Sequence, residues 1–143
     1  MRPWVPLAAL AVALSPLAVV HPVRVQGRSM EPALRAGELR WALRAWASHA
    51  PRRGEVWVIA GPEGASVKRV IGLPGEVVVW RGPDLWIGDR RLEEPWVLHP
   101  ERAGAGRTAC GTGFLVLGDN RPESRDGRAW GPLGADRLQG RLL

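Results

Sequence analysis

The residue best suited to chemistry in this chain is Lys68, the one lysine among 20 basic residues. Arginine keeps its proton near neutral pH, whereas a lysine can lose its proton if burial lowers its pKa from about 10.4 toward about 7–8. Lys68 lies between Val67 and residues 69–71 (RVI), so an inward-pointing side chain would be desolvated. A neutral amine acts as a base or a nucleophile, and Lys68 is therefore a candidate for chemistry.

Two further segments differ from ordinary strand sequence. Residues 27–32 (GRSMEP) place Ser29 between a glycine and a proline, which predicts a sharp turn that exposes the hydroxyl and nearby backbone N–H groups. Residues 118–121 (GDNR) are followed by Ser124, Asp126 and Arg128. Taken singly, the first segment indicates only a turn, and the second a turn followed by a surface ion pair.

Taken together and in this order, the three segments resemble the conserved boxes of the type I signal peptidases, which are serine–lysine membrane peptidases. Residues 29–34 (SMEPAL) resemble the nucleophile box S-M-x-P-T-L, and residues 68–76 (KRVIGLPGE) resemble the lysine box K-R-V-x-G-L-P-G-D. Residues 118–131 resemble G-D-N-R-x-x-S-x-D-S-R-x-W-G, and residues 52–59 (RRGEVWVI) resemble a G-D-V-V strand of the family. The resemblance covers nearly the whole chain after its N-terminal segment.

The resemblance implies a role for each matching residue. Ser29 is the expected nucleophile, and Lys68 in its neutral form is the expected general base. Ser124 matches the serine that hydrogen-bonds and orients the lysine, while Asp126 and Arg128 match a supporting ion pair. No cofactor and no metal ion are expected.

The oxyanion site and the substrate cleft carry departures from the family pattern. The backbone N–H of Ser29 is one expected oxyanion donor, but Gly27 stands where many members have a second donor, a hydroxyl. Met30 is expected to line the substrate cleft. Gly127 and Ala33 replace a serine and a threonine of the family boxes, and none of these changes removes the serine or the lysine.

The elements that must position these residues begin with an apolar segment near the N-terminus. Residues 4–20 carry no charge. At about 1.5 Å per residue, a helix of this length spans roughly 26 Å, at the short end for a membrane helix. Because Arg2 precedes it, the N-terminus is expected to stay in the cytoplasm. We therefore expect a transmembrane anchor at 1–22 and a catalytic domain at 23–143, with a cleaved signal peptide or a core helix as alternatives.

After the anchor, the sequence predicts short strands and turns. The 18 glycines and 13 prolines argue against long helices. Strands are predicted within 23–27, 55–60, 66–73, 76–80 and 113–117 and near the C-terminus, while 38–46 suits a strand or a short helix. Pro74-Gly75 predicts a hairpin between 66–73 and 76–80, and Gly88-Asp89 predicts the tip of a smaller one. The expected fold is mainly β: a compact antiparallel catalytic domain of signal-peptidase type behind an N-terminal transmembrane helix.

Charge and composition limit the partners. The net charge of +6 suits nucleic acid or an anionic membrane surface, but the arginines are scattered and no nucleic-acid-binding motif is present. Beside a hydrophobic anchor, membrane lipid is the expected partner and nucleic acid is not. Some of the eight tryptophans are expected at the membrane interface and most in the core. A single cysteine, Cys110, excludes an internal disulfide and is given no role.

The function that the resemblance implies is removal of N-terminal signal peptides from exported preproteins. The enzyme is expected to be single-pass in the cytoplasmic membrane, with its catalytic domain on the extracytoplasmic side. Small residues, typically Ala, are implied at the first and third positions before the cut. Three alternatives remain: a dedicated maturation peptidase of the same fold with one partner precursor, a self-cleaving repressor, and a non-catalytic, membrane-anchored basic module.

Overall fold

A computed structural model describes residues 19–98 and 105–143, and most of these residues lie in short strands. The strands are β1 (Val20–Arg24), β2 (Leu39–Arg44), β3 (Val56–Gly61), β4 (Gly64–Gly72), β5 (Val77–Arg81), β6 (Asp84–Ile87), β7 (Arg90–Arg91), β8 (Gly106–Ala109), β9 (Leu115–Leu117) and β10 (Leu138–Leu142). Helical segments are the 3-10 helices Ala45–Ala47, Arg121–Glu123 and Ala135–Arg137 and the short α-helix Gly127–Trp130.

The described strands form two antiparallel sheets. The larger has the order β1-β2-β10-β3-β4-β9, and the smaller has the order β7-β6-β5-β8. The expected mainly β fold is thereby confirmed. Of the predicted anchor at 1–22, residues 1–18 lie outside the described part of the chain, and β1 begins at Val20. Among the described residues, no helix is long and apolar enough to cross a membrane.

The two predicted hairpins have different outcomes. The small hairpin is confirmed, because Ile87 pairs with Arg90 across Gly88-Asp89. The hairpin across Pro74-Gly75 is wrong, because β4 pairs with β3 and β9 while β5 enters the smaller sheet. Glu76 lies at this change of sheet, where it accepts a hydrogen bond from the backbone N–H of Leu73 at 2.7 Å and pairs with Arg53 at 2.6 Å.

Three apolar clusters hold the sheets together. One lies on the larger sheet around Trp57, Val70 and Val116. A second joins the two sheets, with Ile71 and Leu115 packed among residues of β5 and β6. The third lies near the turn that carries Ser29 and consists of Val25, Met30, Leu34, Ala42, Val58 and Val67. Burial of these side chains supplies most of the driving force for folding.

Strand β4 matters most for the site, because its two faces and its two edges have different surroundings. Successive side chains alternate between faces, so Ser66 and Lys68 share one face while Val67 lies on the other. One edge pairs with β3 from Gly64 to Arg69. On the opposite edge β9 pairs only from Arg69 onward, and no described strand covers that edge between Gly64 and Lys68. An unpaired strand edge of this kind can accept another extended chain.

Candidate active site

The structure brings Ser29 and Lys68 together, although 39 positions separate them in the sequence. Lys68 Nζ lies 2.7 Å from Ser29 Oγ, within hydrogen-bond distance. Ser29 lies on the turn between β1 and β2, and Lys68 projects from β4. When the amine is neutral, it can accept the hydroxyl proton of the serine, which is the geometry that activates an oxygen nucleophile.

Lys68 is held in an environment that favours its neutral form. Its side chain is only 4% exposed, as the apolar strand around it predicts. Burial lowers the pKa of Lys68, and the nearby Arg128 lowers it further, while the carboxylates of Asp126 and Asp119 oppose the shift. The net direction is downward, so the lysine loses its proton more readily than it would in water.

The turn that carries Ser29 is fixed by the polar segment after β9. The backbone N–H of Asn120 donates to the Ser29 carbonyl oxygen at 2.9 Å, and its side-chain amide donates to the Arg28 carbonyl oxygen at 3.1 Å. The Arg28 side chain points away from the lysine and is paired at the surface with Glu31 and Glu123. Sequence reasoning placed Asn120 in a motif but missed this anchoring role, which only the fold makes visible.

Asp126 is the centre of the supporting network. It is 1% exposed and accepts hydrogen bonds from Ser124 Oγ at 2.7 Å, from the Gly118 backbone N–H at 2.9 Å and from Arg128 Nε at 2.9 Å. Burial alone would raise the pKa of Asp126, but the hydrogen bonds from Arg128, Gly118 and Ser124 outweigh it and lower the pKa. Asp126 therefore stays ionised within the site.

Ser124 lies close to the dyad, but its hydroxyl has a different partner from the expected one. It donates to Asp126, whereas Lys68 Nζ bonds to Ser29. A β-carbon added to Gly118 would collide with the Ser124 side chain and approach the Ser29 carbonyl oxygen at 2.6 Å. Gly118 therefore allows the nucleophile turn and the Ser124 segment to lie side by side.

Gly27 and Met30 occupy the two ends of the nucleophile turn. Gly27 has a positive φ of 72°, a conformation that glycine adopts without strain. It carries no hydroxyl, so any oxyanion donor at this place must be a backbone group or water. Met30 is 1% exposed and packs with Val67 and Leu34, which puts it in the apolar floor beneath the turn.

A second buried ion pair braces the same loop, and sequence reasoning did not identify it. Arg69, which follows Lys68 on β4, donates to both carboxylate oxygens of Asp119 and to the Gly54 carbonyl oxygen at 2.7 Å. Its guanidinium also lies 4.5 Å from the centre of the Trp96 ring, a cation–π contact. The lysine box therefore carries two basic side chains with different contacts: Lys68 faces Ser29, while Arg69 holds the loop after β9.

Comparison with known proteins identifies the family of this chain. The family described as "Signal peptidase, peptidase S26" matches residues 1–143. Signal peptidase IB of Staphylococcus aureus is 30% identical over 87% of this chain and 76% of its own length. Signal peptidase I V of Bacillus subtilis is 31% identical over 86% of this chain and 83% of its own length.

A solved structure of a signal peptidase I has a similar fold. The crystal structure of a signal peptidase I from Enterococcus faecalis matches with a TM-score of 0.56 and 28% identity, over 66% of this chain and 98% of that one. The family match spans the whole sequence, and the antiparallel sheets that position Ser29 and Lys68 have the architecture of that domain. The chain therefore belongs to the signal peptidase family, peptidase S26, and is a peptidase that removes signal peptides.

Proposed function

We propose that this protein is a membrane-bound serine endopeptidase that removes the signal peptides of exported preproteins with Ser29 as nucleophile and Lys68 as general base. The observation that carries the proposal is the 2.7 Å contact between Ser29 Oγ and the Nζ of a buried lysine. No histidine is needed, because a neutral lysine amine takes the serine proton in its place.

The reaction proceeds in two halves. As Ser29 Oγ attacks the scissile carbonyl carbon, Lys68 takes its proton, and the resulting ammonium then protonates the leaving amine as the C–N bond breaks. This leaves an ester between Ser29 and the signal peptide. Lys68, neutral again, takes a proton from a water molecule that attacks the ester carbon. The ammonium then gives this proton to Ser29 Oγ as the ester C–O bond breaks, which releases the signal peptide as a carboxylic acid and restores the serine hydroxyl.

The negative charge on the carbonyl oxygen needs donors during both halves. The backbone N–H of Ser29 forms no hydrogen bond with any described residue, so it is available for this role. Gly27 adds no hydroxyl, so any further donation must come from backbone groups or water. Preorganised donors of this kind typically contribute about 3–4 kcal/mol to the transition state.

Ser124, Asp126 and Arg128 act by holding the site in place. Asp126 fixes Ser124 and the Gly118 backbone, and Arg128 also donates to the carbonyl oxygens of Arg121 and Ser124 at 2.8 and 2.9 Å. The carboxylate of Asp126 balances the charge of Arg128 so that a guanidinium can lie near the lysine without an unpaired buried charge.

The open edge of β4 provides a place for the substrate. A preprotein in extended form can lie along Gly64–Lys68 and exchange backbone hydrogen bonds, which brings its scissile bond to Ser29. On the face of β4 that carries Val67, the cluster with Met30 and Leu34 is almost wholly buried, and its outermost atoms form a shallow apolar floor. Small side chains at the first and third positions before the cut fit such a surface.

Membrane anchoring is part of the proposal. Residues 4–20 are uncharged, and Ser29 follows Val20 by only nine positions, which keeps the nucleophile near the bilayer. The substrate's cleavage site emerges just beyond its own membrane-spanning segment, so both reacting groups meet at the extracytoplasmic surface.

The experiment that tests the dyad is cleavage of a secretory preprotein in liposomes by the wild type, Ser29→Ala and Lys68→Arg. We expect cleavage after a small residue by the wild type and a loss of at least about 10³-fold in each variant. Lys68→Arg keeps the positive charge but cannot supply a neutral base. The matched control is Ser48→Ala. Ser48 lies after β2, and its hydroxyl accepts a hydrogen bond from Arg141 of β10, so this variant should keep full activity. Full cleavage by Lys68→Arg would show that the Ser–Lys mechanism is wrong.

A further inference from the structure

Ser66 carries a buried hydroxyl for which neither the fold nor the proposed mechanism provides a use. Its Oγ is shielded from solvent and has no hydrogen-bond partner among the described residues. Ser66 lies two positions before Lys68 on the same face of β4. Buried hydroxyl groups are usually hydrogen-bonded, so one left unpaired beside a catalytic lysine points to a partner that arrives with the substrate.

A cleft opens beside this hydroxyl. It has a volume of about 270 Å³ and is lined by Glu63, Gly64, Ala65, Ser66, Lys68, Arg125 and Trp130. At its mouth, an Arg125 nitrogen lies 2.9 Å from a Glu63 oxygen, with the two side chains 71% and 49% exposed. An ion pair this exposed contributes little and opens readily. Rotation about χ1 then turns the Ser66 hydroxyl toward the cleft, because serine has three accessible rotamers.

Successive side chains of an extended substrate point to opposite faces of the sheet, and this decides which substrate residue reaches the cleft. In the proposed function, on which this step rests, side chains at the first and third positions before the cut point to the apolar face that carries Val67. In an extended chain the intervening side chain points to the opposite face. That face of β4 carries Ser66 and Lys68.

The charges around the cleft limit what it can hold. A cationic side chain would lie beside Arg125 and could pair with Glu63 only by displacing Arg125 from it. A carboxylate beside Lys68 would favour the ammonium form, which cannot act as a base. An uncharged side chain with a hydroxyl or amide group avoids both effects and can pair with Ser66.

We propose that this cleft is the binding subsite for the second residue before the cut, and that Ser66 Oγ hydrogen-bonds a short, uncharged polar side chain there. Ser66 is thus a residue that determines specificity. It takes no part in proton transfer, and since its hydroxyl has no partner in the free enzyme, its removal should not destabilise the fold.

The test compares two peptides that carry Ala at the first and third positions and either Thr or its isostere Val at the second. The full chain in detergent is used as wild type, Ser66→Ala and Ser48→Ala. We expect the wild type and Ser48→Ala to prefer the Thr peptide in kcat/KM by roughly fivefold, the effect of one hydrogen bond. Ser66→Ala should lower this ratio to about one, with the rate on the Val peptide and the melting temperature not reduced.

Two results would overturn the subsite alone: an equal Thr-to-Val ratio in wild type and Ser66→Ala, or a change of preference at the first or third position instead of the second. Failure of the wild type to cleave either peptide, or any signal-peptide substrate, would overturn the proposed function and the subsite together. The two kinds of failure are therefore distinguishable in one set of assays.

Discussion

At the scale of single residues, the chemical role proposed for Lys68 comes with a cost to stability. A side chain that is 4% exposed must give up the hydration of its ammonium group, and burial accordingly lowers its pKa. The neighbouring carboxylates of Asp126 and Asp119 offset part of this shift. The same desolvation that favours the neutral amine of Lys68 therefore makes the folded state less stable at pH values where lysine is normally protonated.

This balance predicts how stability depends on pH. The folded pKa of Lys68 lies below its unfolded value of about 10.4, so between the two values the unfolded chain binds more protons and stability rises with pH. Lys68→Met removes the ionisable group while keeping a long apolar side chain. We expect this variant to be more stable than the wild type at neutral pH and its advantage to shrink as the pH approaches 10.4.

The measurement is the free energy of unfolding of both proteins in denaturant across this pH range, with the difference taken at each pH so that other titrating groups cancel. Ser29→Ala serves as the control, because it removes the hydroxyl that contacts Lys68 and keeps the charge. A stability difference between Lys68→Met and wild type that does not change with pH would contradict the assignment of a lowered pKa.

At the scale of elements, the loop after β9 aligns the two halves of the site. Asn120 holds the nucleophile turn, and the Gly118 backbone N–H donates to Asp126. A β-carbon added to Gly118 would clash with both the Ser29 carbonyl oxygen and the Ser124 side chain, so there is no room for one. Close packing of three segments is thus achieved by the absence of a side chain.

Gly118→Ala should therefore separate these segments. Because the added carbon meets backbone as well as side chain, we expect a loss of roughly 1–3 kcal/mol in unfolding free energy and a fall in kcat larger than the change in KM. Gly106→Ala on β8, where an added β-carbon has nothing within 4 Å, is the matched control and should change stability by less than about 0.5 kcal/mol. Denaturant unfolding and peptide cleavage check both variants, and a fully active, equally stable Gly118→Ala would refute the packing argument.

The sequence predicted those parts of the fold that depend on local pattern. An apolar strand around Lys68, the small hairpin at Gly88-Asp89 and a mainly β domain all follow from residues close to one another along the chain. The partners of β4 and β5 were not predictable, because pairing depends on contacts between distant segments. Local sequence signals also gave no reason to distinguish Ser66 from any other serine in a strand.

In the candidate active site, too, the sequence predicted some features, and others depended on tertiary contacts. Motifs placed Ser29, Lys68 and Asp126 in candidate roles, but the hydroxyl of Ser124 bonds to Asp126 and not to the lysine as expected. A strand position two residues from Lys68 shares its face, so alternation could have drawn attention to Ser66. Alternation cannot predict that the Ser66 hydroxyl lacks a hydrogen-bond partner, because this depends on all the segments that pack against it.

At the scale of the whole molecule, large apolar side chains are exposed at one end of the larger sheet. Leu39 and Trp41 on β2 are 57% and 49% exposed, Trp46 in the next 3-10 helix is 71% exposed, and Leu143 follows β10. β1, which pairs with β2, begins at Val20, within the last residues of the segment predicted to be the anchor. An apolar surface in this position fits contact with the lipid headgroup region, where tryptophan is favoured.

We expect the double variant Trp41→Thr, Trp46→Ser to cleave a preprotein in liposomes several-fold more slowly than the wild type, because the domain contacts the bilayer less. Cleavage of a short peptide in detergent should be unchanged, since neither tryptophan contacts Ser29 or Lys68. Leu98→Ser, which removes another apolar side chain that is 62% exposed, is the control and should behave as wild type in both assays. Equal losses in liposomes and in detergent would indicate damage to the fold and contradict a membrane role.

The position of β10 has a consequence for when the enzyme becomes active. This strand, near the end of the chain, lies between β2 and β3 and is the link that joins the β1–β2 pair to the β3–β4 pair. The turn of Ser29 is likewise held by Asn120, whose contact with Arg28 spans 92 positions. Contacts so distant along the chain form slowly and late in folding. We therefore expect that, during synthesis, Ser29 and Lys68 become aligned only after β10 has joined β2 to β3.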